Sequence, residues 1–490
     1  MAEPEWDVVV VGAGTAGCAL AARLADAGRR VLVLEAGAHH RRPEDFPLEL
    51  RDGATLRAAV PGHPANWGLT GELTAGLTVP VPRGRVAGGS SALNAGSFIR
   101  ATRADLDGWA ADGNDLWSYD AVLPAFRRLE TDREFGNRPE HGADGPVPVT
   151  RARERHPLAD AFAVAAADLG HPAEPDKNDG GTTPGYGPVP LNIADGVRVN
   201  TAMAYLSPRR GLATLAVRGG VHVRRVVVEG SRAVGVETTQ GVVRAAEVVL
   251  SAGAVGSAHL LLLSGVGPAD DLRRAGIAVV ADVPGVGAEF GDHPNVYLGF
   301  VPADGLPRAR HPLHGVLHAT AELPGDLEIL PWLTPFDGAD ELAVGIGLQQ
   351  PQSRGRLSLH DGDPTTAPRL AYGYLADESD RRRLRAGVRL AAELLRTASL
   401  ARTGPPDDVL RADRPLDGWI RAHLTTAIHL SGTARMGPPS DPGAVVDQEL
   451  RVRGVSGLRV ADTSVLPRVP SRGPAATAVM VGERAAELMI

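Results

Sequence analysis

The stretch Asp7-Val-Val-Val-Val-Gly12-Ala-Gly14-Thr-Ala-Gly17 decides the fold, together with the helix-like run from Cys18 to Ala27 and the segment Val31-Leu-Val-Leu-Glu35. The run of valines predicts a buried parallel strand, and the glycine spacing after it is typical of a βαβ unit that binds a dinucleotide. Gly12 permits the tight turn, Gly14 lets the backbone approach a pyrophosphate, and Gly17 allows close contact between helix and strand. The helix N-terminus, at Thr15 and Ala16, then faces the phosphates.

The acid at the end of the second strand narrows the choice of dinucleotide. A carboxylate at Glu35 can accept hydrogen bonds from both ribose hydroxyls and would repel a 2′-phosphate. This favours FAD or NAD over NADP, and we expect Glu35 and the adjoining Ala36 to contact the cofactor. The motif is compatible with either dinucleotide, so the choice between them depends on the rest of the chain.

Length and composition limit the classes of protein that the chain can be. Its 490 residues predict two large or interwoven domains. The net charge is −7 and no basic tract is long, which argues against nucleic acid as a partner. The single cysteine, Cys18, excludes a disulfide within the chain and a cysteine metal cluster. We therefore predict no metal site.

We expect no transmembrane segment. The chain opens with acidic residues that run directly into a strand, unlike a signal peptide. The uncharged stretch between Val248 and Asp270 is predicted to be a strand, a turn and a buried helix, not a membrane span. We expect a cytoplasmic protein, free in solution or peripheral to a membrane. The Arg381-Arg-Arg383 triplet is predicted to lie on a solvated helix face.

Later segments predict how the chain is organised around its opening motif. The glycine- and serine-rich stretch 83–96 either brings backbone N–H groups close to a ligand or is an ordinary flexible turn. The stretch 215–249 alternates like an antiparallel ribbon and leads into a second strand, turn and helix. A sheet is predicted over 294–423, with an amphipathic helix from Asp377 to Leu400. A last helix, from Ala475 to Met489, returns to the dinucleotide domain.

The order and spacing of eight motifs resemble the glucose-methanol-choline (GMC) family of flavoprotein oxidoreductases over nearly the whole chain. The motifs are the N-terminal fingerprint, Gly88-Gly89-Ser90-Ser91 with Asn94, Ser251 to Pro268, Gly291-Asp-His-Pro294, Ser353-Arg-Gly-Arg356, His429-Leu-Ser-Gly-Thr-Ala-Arg-Met-Gly437, Val460-Ala-Asp462-Thr-Ser-Val-Leu-Pro467, and Val481-Gly-Glu-Arg-Ala-Ala486. The resemblance implies FAD as the cofactor and a small-molecule alcohol as the substrate.

The fold implied by the resemblance is α/β, or α+β overall. A Rossmann-like FAD-binding domain is interwoven with a substrate domain of mainly antiparallel sheet flanked by helices. We assign residues 1–145, 188–293 and 428–490 to the FAD-binding domain, and residues 146–187 and 294–427 to the substrate-binding domain.

The resemblance also implies which residues surround FAD. They are Gly12, Gly14, Thr15, Ala16, Gly17, Glu35, Ala36, Asn66, Trp67, Arg85, Gly88, Gly89, Ser90, Asn94, Ala95, Gly96, Val223, Ala252, Asp462, Pro474 and Ala475. Leu93 stands where some family members carry a histidine that is covalently bonded to the flavin. FAD is therefore expected to bind without a covalent link.

His429 is the expected catalytic base, because a hydride leaves an alcohol carbon readily only when the hydroxyl proton is removed. The family usually sets a second histidine or asparagine in the loop after the last strand, and that place falls on Gly473. Arg472 or a water supplies the missing contact, or the substrate carries its own polar group, or the chemistry has drifted from simple alcohol oxidation. Arg472 is equally compatible with a surface position. His293 is expected to be a packing or turn residue.

A narrower resemblance concerns the mycofactocin-associated dehydrogenases of actinobacteria. It rests on the segments 130–132, 141–149, 189–198 and Ser471-Arg-Gly-Pro474. This branch implies a reduced redox cofactor derived from a peptide as the electron donor and a respiratory acceptor instead of oxygen. The alternatives are a tailoring enzyme of secondary metabolism, a flavin-bearing lyase without net redox chemistry, a binding protein that retains the fold, and an NAD-dependent enzyme.

Overall fold

The computed structural model describes residues 6–152, 154–181, 184–301, 309–336 and 341–490. The strands are β1 (Trp6–Val11), β2 (Val31–Leu34), β3 (Leu69–Thr74), β4 (Leu77–Val81), β5 (Glu130–Asp132), β6 (Val147–Val149), β7 (Tyr186–Pro188), β8 (Ile193–Ala194), β9 (Val197–Arg198), β10 (Leu215–Arg218), β11 (Val223–Glu229), β12 (Arg232–Thr238), β13 (Gly241–Leu250), β14 (Val266–Gly267), β15 (Ala281–Asp282), β16 (Pro294–Val301), β17 (Gly315–Ala319), β18 (Leu327–Trp332), β19 (Leu342–Leu348), β20 (Arg356–Ser358), β21 (Arg369–Ala371), β22 (Ala401–Arg402), β23 (Leu424–Thr426) and β24 (Leu458–Val460). The helices are α1 (Thr15–Asp26), α2 (Leu48–Arg51), α3 (Arg103–Ala111), α4 (Tyr119–Leu129), α5 (Pro157–Asp168), α6 (Gly253–Leu263), α7 (Ala269–Arg274), α8 (Glu378–Thr397), α9 (Asp407–Arg411), α10 (Asp413–Ala422) and α11 (Ala475–Glu487).

The first large sheet carries the opening motif. Its strands run in the order β10-β2-β1-β13-β12-β11, and β24 pairs with β13. Strand β13 changes its role along its length: the N-terminal half pairs antiparallel with β12, whereas the C-terminal half lies parallel to β1 and β24. The valines Val8 to Val11 are buried because the sheet is covered on both faces.

The second large sheet is antiparallel and has two unlike faces. Strands β16, β19, β18 and β17 are neighbours in that order, and β7 and β22 extend the sheet. Residues that alternate along each strand point to opposite sides. Val296, Ile346 and Ile329 share the outer face, where Ile346 packs against Gly387 of α8. This outer face belongs to the hydrophobic core.

The inner face of the second sheet carries polar and aromatic side chains. Asn295, Gly347 and Glu328 lie side by side on it, and His318 pairs with Glu328. Farther along, Tyr297 and its neighbours form a separate apolar cluster that reaches Ala95 of the glycine- and serine-rich segment. The inner face therefore looks toward the dinucleotide domain.

A four-stranded sheet, β20-β21-β3-β4, joins residues 69–81 to residues 356–371. The predicted α/β fold, with a parallel dinucleotide-type sheet and a mainly antiparallel sheet, is confirmed. The prediction for Arg383 is wrong: its guanidinium is buried, bonds Asp380 at 2.7 Å and lies 3.6 Å from Asp326. Within the described ranges, no helix combines the length and the apolar character that a membrane crossing requires.

Candidate active site

The turn between β1 and α1 leaves no room for side chains at two of its glycines. Gly12 has a φ of +100°, and a Cβ there would lie 2.5 Å from the Ser251 carbonyl oxygen. A Cβ on Gly17 would lie 2.1 Å from the Gly12 carbonyl oxygen. No side chain caps α1, so the N–H groups of its first turn remain available to an anion. This arrangement fits the pyrophosphate of a dinucleotide.

Glu35 anchors the loop that follows β2. Its carboxylate accepts the N–H groups of Ala13 at 3.0 Å and Gly37 at 2.8 Å. Burial raises the pKa of Glu35, and these two hydrogen bonds act in the opposite direction. The side chain thereby ties the fingerprint turn to the end of β2, with Ala36 beside it, at the place where a ribose would lie.

The glycine- and serine-rich loop packs directly on the fingerprint. Gly88 donates its N–H to the Ala13 carbonyl at 2.7 Å, and a Cβ on Gly89 would lie 2.7 Å from the Gly14 Cα atom. Ser90 and Asn94 fix the loop internally, because their side-chain oxygens accept backbone N–H groups. Ala95 and Gly96 continue this stretch. The loop therefore lies against the turn that is predicted to bind the dinucleotide.

Two segments distant in sequence complete the cleft. Asp462 accepts hydrogen bonds from the Gly253 N–H at 2.9 Å and from the Ser257 hydroxyl at 2.5 Å, at the start of α6 beside Ala252. Helix α11 begins at Ala475, after Pro474, without a side-chain cap. It crosses α1 so closely that a Cβ on Gly482 would lie 2.3 Å from the Ala16 carbonyl oxygen.

Asn66 and Trp67 lie in different surroundings. The Asn66 amide is used within its own loop, where it donates to the Ala59 carbonyl at 2.9 Å. Trp67 is 38 % exposed, with the Arg85 guanidinium 5.1 Å from its ring centre. Its ring also contacts His222, the residue before Val223. The structure thus groups Trp67, Arg85 and His222, and Val223 is the next residue, the first of β11.

His429 follows β23 in a strained turn. Ile428 adopts a left-handed φ of 66°, and Arg83 donates to its carbonyl at 2.9 Å. Burial lowers the pKa of His429 well below its ordinary value, and the neighbouring His293 and Arg83 lower it further. His429 is therefore neutral at neutral pH and able to accept a proton.

His293 and Asp292 hold His429 in place, and the sequence reasoning missed both roles. The Nδ1 atoms of His293 and His429 lie 2.9 Å apart, with the two rings nearly perpendicular. Asp292 accepts the backbone N–H groups of both histidines at 2.7 Å. Burial raises the pKa of Asp292 to about 6. The Gly291-Asp-His-Pro294 motif was the available signal, but nothing in it indicates that His429, 136 positions later, is the partner.

Gly473 lies against the His429 ring, and Arg472 points elsewhere. A Cβ on Gly473 would be 3.2 Å from both Cε1 and Nε2 of His429. The Arg472 guanidinium is 5 % exposed and donates to the carbonyls of Ser471 at 2.6 Å and Gly325 at 3.2 Å. The structure thus rules out the alternative of a surface position for Arg472.

Glu130, Asp132 and His141 are close enough to share a cation, but their charges are already matched. Arg100 pairs with Glu130 at 2.6 Å, and Arg151 pairs with Asp132 at 2.9 Å. Burial opposes charge on His141, yet hydrogen bonds to three carboxylates prevail and raise its pKa to about 10. Because both ring nitrogens are bonded to carboxylates as an imidazolium, the cluster does not suit a metal ion.

The comparisons with known proteins agree with this architecture. The family model described as GMC oxidoreductase matches residues 6–295 in its N-terminal part and residues 351–482 in its C-terminal part. An uncharacterized GMC-type oxidoreductase from Rhodococcus erythropolis is 42% identical over 100% of this chain and 99% of its own length. Mitochondrial choline dehydrogenase from Homo sapiens is 36% identical over 99% of this chain and 90% of its own length.

A solved structure has the same fold. Pyridoxine 4-oxidase from Mesorbium loti superposes with a TM-score of 0.89 at 31% identity and covers 99% of both chains. The uncapped start of α1, the packed glycine loop and the start of α11 fit FAD as the dinucleotide. The chain therefore belongs to the GMC oxidoreductase family and is an FAD-dependent oxidoreductase that acts on CH–OH donors.

Proposed function

We propose that the protein oxidises an alcohol to a carbonyl compound and that His429 removes the hydroxyl proton. The observation that carries this proposal is the position of the His429 ring, whose Nε2 lies against Gly473, where no side chain separates it from a ligand. The lowered pKa of His429 is consistent with a neutral imidazole there. Bound FAD supplies the hydride acceptor for this chemistry. The residues of the chain bind and orient the alcohol and take its proton.

We propose one arrangement of protons for the two histidines. Burial lowers the pKa of His293 to about 3, while the nearby backbone carbonyls of Pro470 and Gln349 act in the opposite direction, as acceptors that face an Nε2–H would. Among the described residues, no atom makes a full hydrogen bond to this Nε2. If His293 carries its proton on Nε2, its Nδ1 accepts a hydrogen bond from Nδ1–H of His429. The lone pair of His429 then lies on Nε2, on the Gly473 side.

Removal of the proton by His429 also explains the need for a rigid surrounding. An alcohol becomes a good hydride donor as its oxygen gains alkoxide character, so base and reacting carbon must be aligned together. Asp292 holds the backbone N–H groups of His293 and His429, and the His293 ring fixes the orientation of the His429 ring. In this proposal His429 is the catalytic residue, and Asp292 and His293 are positioning residues.

Anaerobic flavin reduction tests the proposal. An alcohol that bleaches the FAD of the purified protein is first found in a screen of alcohols, amino alcohols, sugars and reduced mycofactocin. The variant H429A is expected to retain FAD and to reduce it about 10²–10⁴-fold more slowly. His423, an exposed histidine six residues earlier, supplies the control H423A, which should keep the normal rate. An unchanged rate in H429A would remove His429 as the base, and substrate consumption without bleaching would favour the lyase alternative.

The physiological acceptor is the finer part of the proposal. We propose a dehydrogenase that passes electrons to a respiratory acceptor, as the mycofactocin-associated resemblance of Ser471 to Pro474 implies. Reoxidation of the reduced protein by a soluble quinone should then be much faster than reoxidation by air-saturated buffer. Faster reoxidation by oxygen would identify an oxidase instead.

A further inference from the structure

A buried polar compartment borders the histidine pair and has no role in proton removal. Five residues form it: Lys177, His318, Gln349 and Arg472 are buried, and Glu328 is partly buried. His318 and Glu328 lie on the inner face of the second sheet, and Gln349 follows the end of β19. Arg472 enters from the loop before α11. Gln349 lies over Gly347 beside Glu328, and its backbone N–H bonds the Asp326 carbonyl, next to Gly325, whose own carbonyl accepts the Arg472 guanidinium. Arg472 directly precedes Gly473, which lies against the His429 ring, so the compartment borders the histidine pair.

Arg472 is a buried cation without a direct counter-ion. Among the described residues, no carboxylate oxygen lies within 4.0 Å of its guanidinium, which donates hydrogen bonds to the carbonyls of Ser471 and Gly325. Burial lowers the pKa of Arg472, while the more distant charges of Asp105, Glu174 and Glu328 act in the opposite direction. A buried charge that is not paired costs several kcal/mol, so such a guanidinium normally faces an anion or a ligand.

Glu328 is the opposite charge of the same compartment. Lys177 donates to the Gly185 carbonyl and lies 3.2 Å from Nδ1 of His318, so this nitrogen is the acceptor. His318 must then donate from Nε2 to one oxygen of Glu328, at 3.3 Å. In the part of the chain that the structure covers, the other oxygen of Glu328 has no hydrogen-bond donor.

Gln349 adds a donor and an acceptor that are both unused. Its side chain is fully buried, and neither amide atom has a hydrogen-bond partner among the described residues. The amide lies over Gly347, where a Cβ would come within 2.8 Å of Nε2. A buried amide with no partner on either atom costs more than the small gain of a typical hydrogen bond, and a ligand that offers both partners removes this cost.

We propose that this polar compartment binds a zwitterionic group of the substrate, with a carboxylate at Arg472 and an ammonium at Glu328. Among the described residues, neither Arg472 nor the second oxygen of Glu328 has a directly bonded partner of opposite charge, and a zwitterion supplies one to each of them. A simple cation or anion would supply only one. The substrate class is therefore an alcohol that also carries an amino-acid-type head group. This inference rests on the proposed alcohol oxidation and adds the class of alcohol.

The apolar part of the inner face suits the rest of such a molecule. The ring centres of Tyr297 and Phe336 are 5.1 Å apart, and those of Trp332 and Phe336 are 4.9 Å apart. Gly345 of β19 lies between Tyr297 and Trp332. Because glycine has no side chain, β19 leaves the space between these two aromatic rings unfilled. An aromatic or aliphatic body next to the zwitterionic group would meet this wall.

Binding of three related molecules tests the proposal on the FAD-loaded protein. Isothermal titration calorimetry compares phenylalanine with phenylalaninamide, which lacks the carboxylate, and with 3-phenylpropionate, which lacks the ammonium. Phenylalanine should bind about tenfold or more tightly than either analogue, as expected for a hydrogen-bonded charge. R472Q should abolish the preference over phenylalaninamide only, and E328Q should abolish the preference over 3-phenylpropionate only. R468Q, on the same loop but at the surface beside Asp112, should retain both preferences.

Equal or tighter binding of either analogue to the unmodified protein would overturn the proposal, as would R472Q or E328Q with both preferences intact. If one variant fails to retain FAD, the order of affinities on the unmodified protein and the result for the other variant still test the proposal. None of the three molecules carries an oxidisable hydroxyl. A failed ranking beside normal alcohol oxidation therefore refutes only the substrate class, whereas a correct ranking beside absent flavin reduction refutes only the proposed reaction.

Discussion

The substitution G473A tests where the alcohol meets His429. The added Cβ would lie 3.2 Å from Cε1 and from Nε2 of His429, whereas carbon atoms in contact are normally about 3.5–4.0 Å apart. The ring must shift by a few tenths of an ångström, and the methyl group occupies the place from which a hydroxyl would approach Nε2 at about 2.6–3.2 Å. Gly473 does not have a left-handed φ, so alanine is compatible with its backbone.

We expect kcat/KM of G473A to fall by about 100-fold or more, because a misplacement of roughly 1 Å at a reacting centre has an effect of that size. FAD content and melting temperature should change little. The assay is anaerobic stopped-flow reduction of the flavin by a substrate found in the screen. G418A is the matched control, because Gly418 has nothing within 4 Å of an added Cβ. Near-normal reduction in G473A would show that the alcohol does not reach His429 from the Gly473 side.

Five other outcomes are expected. Because the pKa of His429 lies well below its ordinary value, kcat/KM should show no decline between pH 8 and pH 6.5, and a fall near pH 6.5 would contradict a neutral base. The pKa of His141 is raised to about 10 in the folded protein, from about 6.5 in the unfolded chain. Protonated His141 therefore contributes its full stabilisation of the fold below about pH 6.5, and this contribution is lost as the pH rises through 10. The melting temperature should fall over that alkaline range. H141Q should lower the free energy of unfolding by about 3–5 kcal/mol, measured in urea, because the buried carboxylates of Glu130, Asp132 and Asp176 lose the cation that all three share. G17A should prevent FAD binding, since its Cβ would lie 2.1 Å from the Gly12 carbonyl oxygen, and the purified protein should lack flavin absorbance. Acid precipitation should release the yellow colour into the supernatant, because Leu93 cannot form a covalent link; colour in the pellet would contradict this.

The turn after β1 and helix α8 could be predicted because each depends on residues close together in the sequence. The turn after β1 needs Gly12 and Gly17 because backbone atoms occupy the space of a Cβ, and that requirement is visible in eleven consecutive residues. Helix α8 was also predicted, since its apolar periodicity is strong. The prediction for Arg383 was wrong because the periodicity of a helix shows which residues share a face. It does not show whether another segment of the chain covers that face. Asp326, from the turn before β18, buries that arginine.

The contacts that unite distant segments could not be predicted from the sequence. His293 contacts His429 only because β16 and β23 pair and bring the residues next to them together. The surroundings of Arg472 depend in the same way on Gly325, in the turn between β17 and β18. A histidine or an arginine carries no local sign of its partner, so single-sequence reasoning could name His429 and Arg472 but not the groups that tune them.

The two unlike faces of the second sheet have a consequence for divergence. Outer-face residues such as Ile346 are committed to the core, and replacing them costs stability. Inner-face residues such as Asn295 and Glu328 face the space that we propose for the substrate, so replacing them should alter recognition more than packing of the core. Strand β16 carries both kinds of residue at alternate positions. Substrate preference could therefore diverge at inner-face positions two residues apart while the outer face of the same strand keeps its core residues.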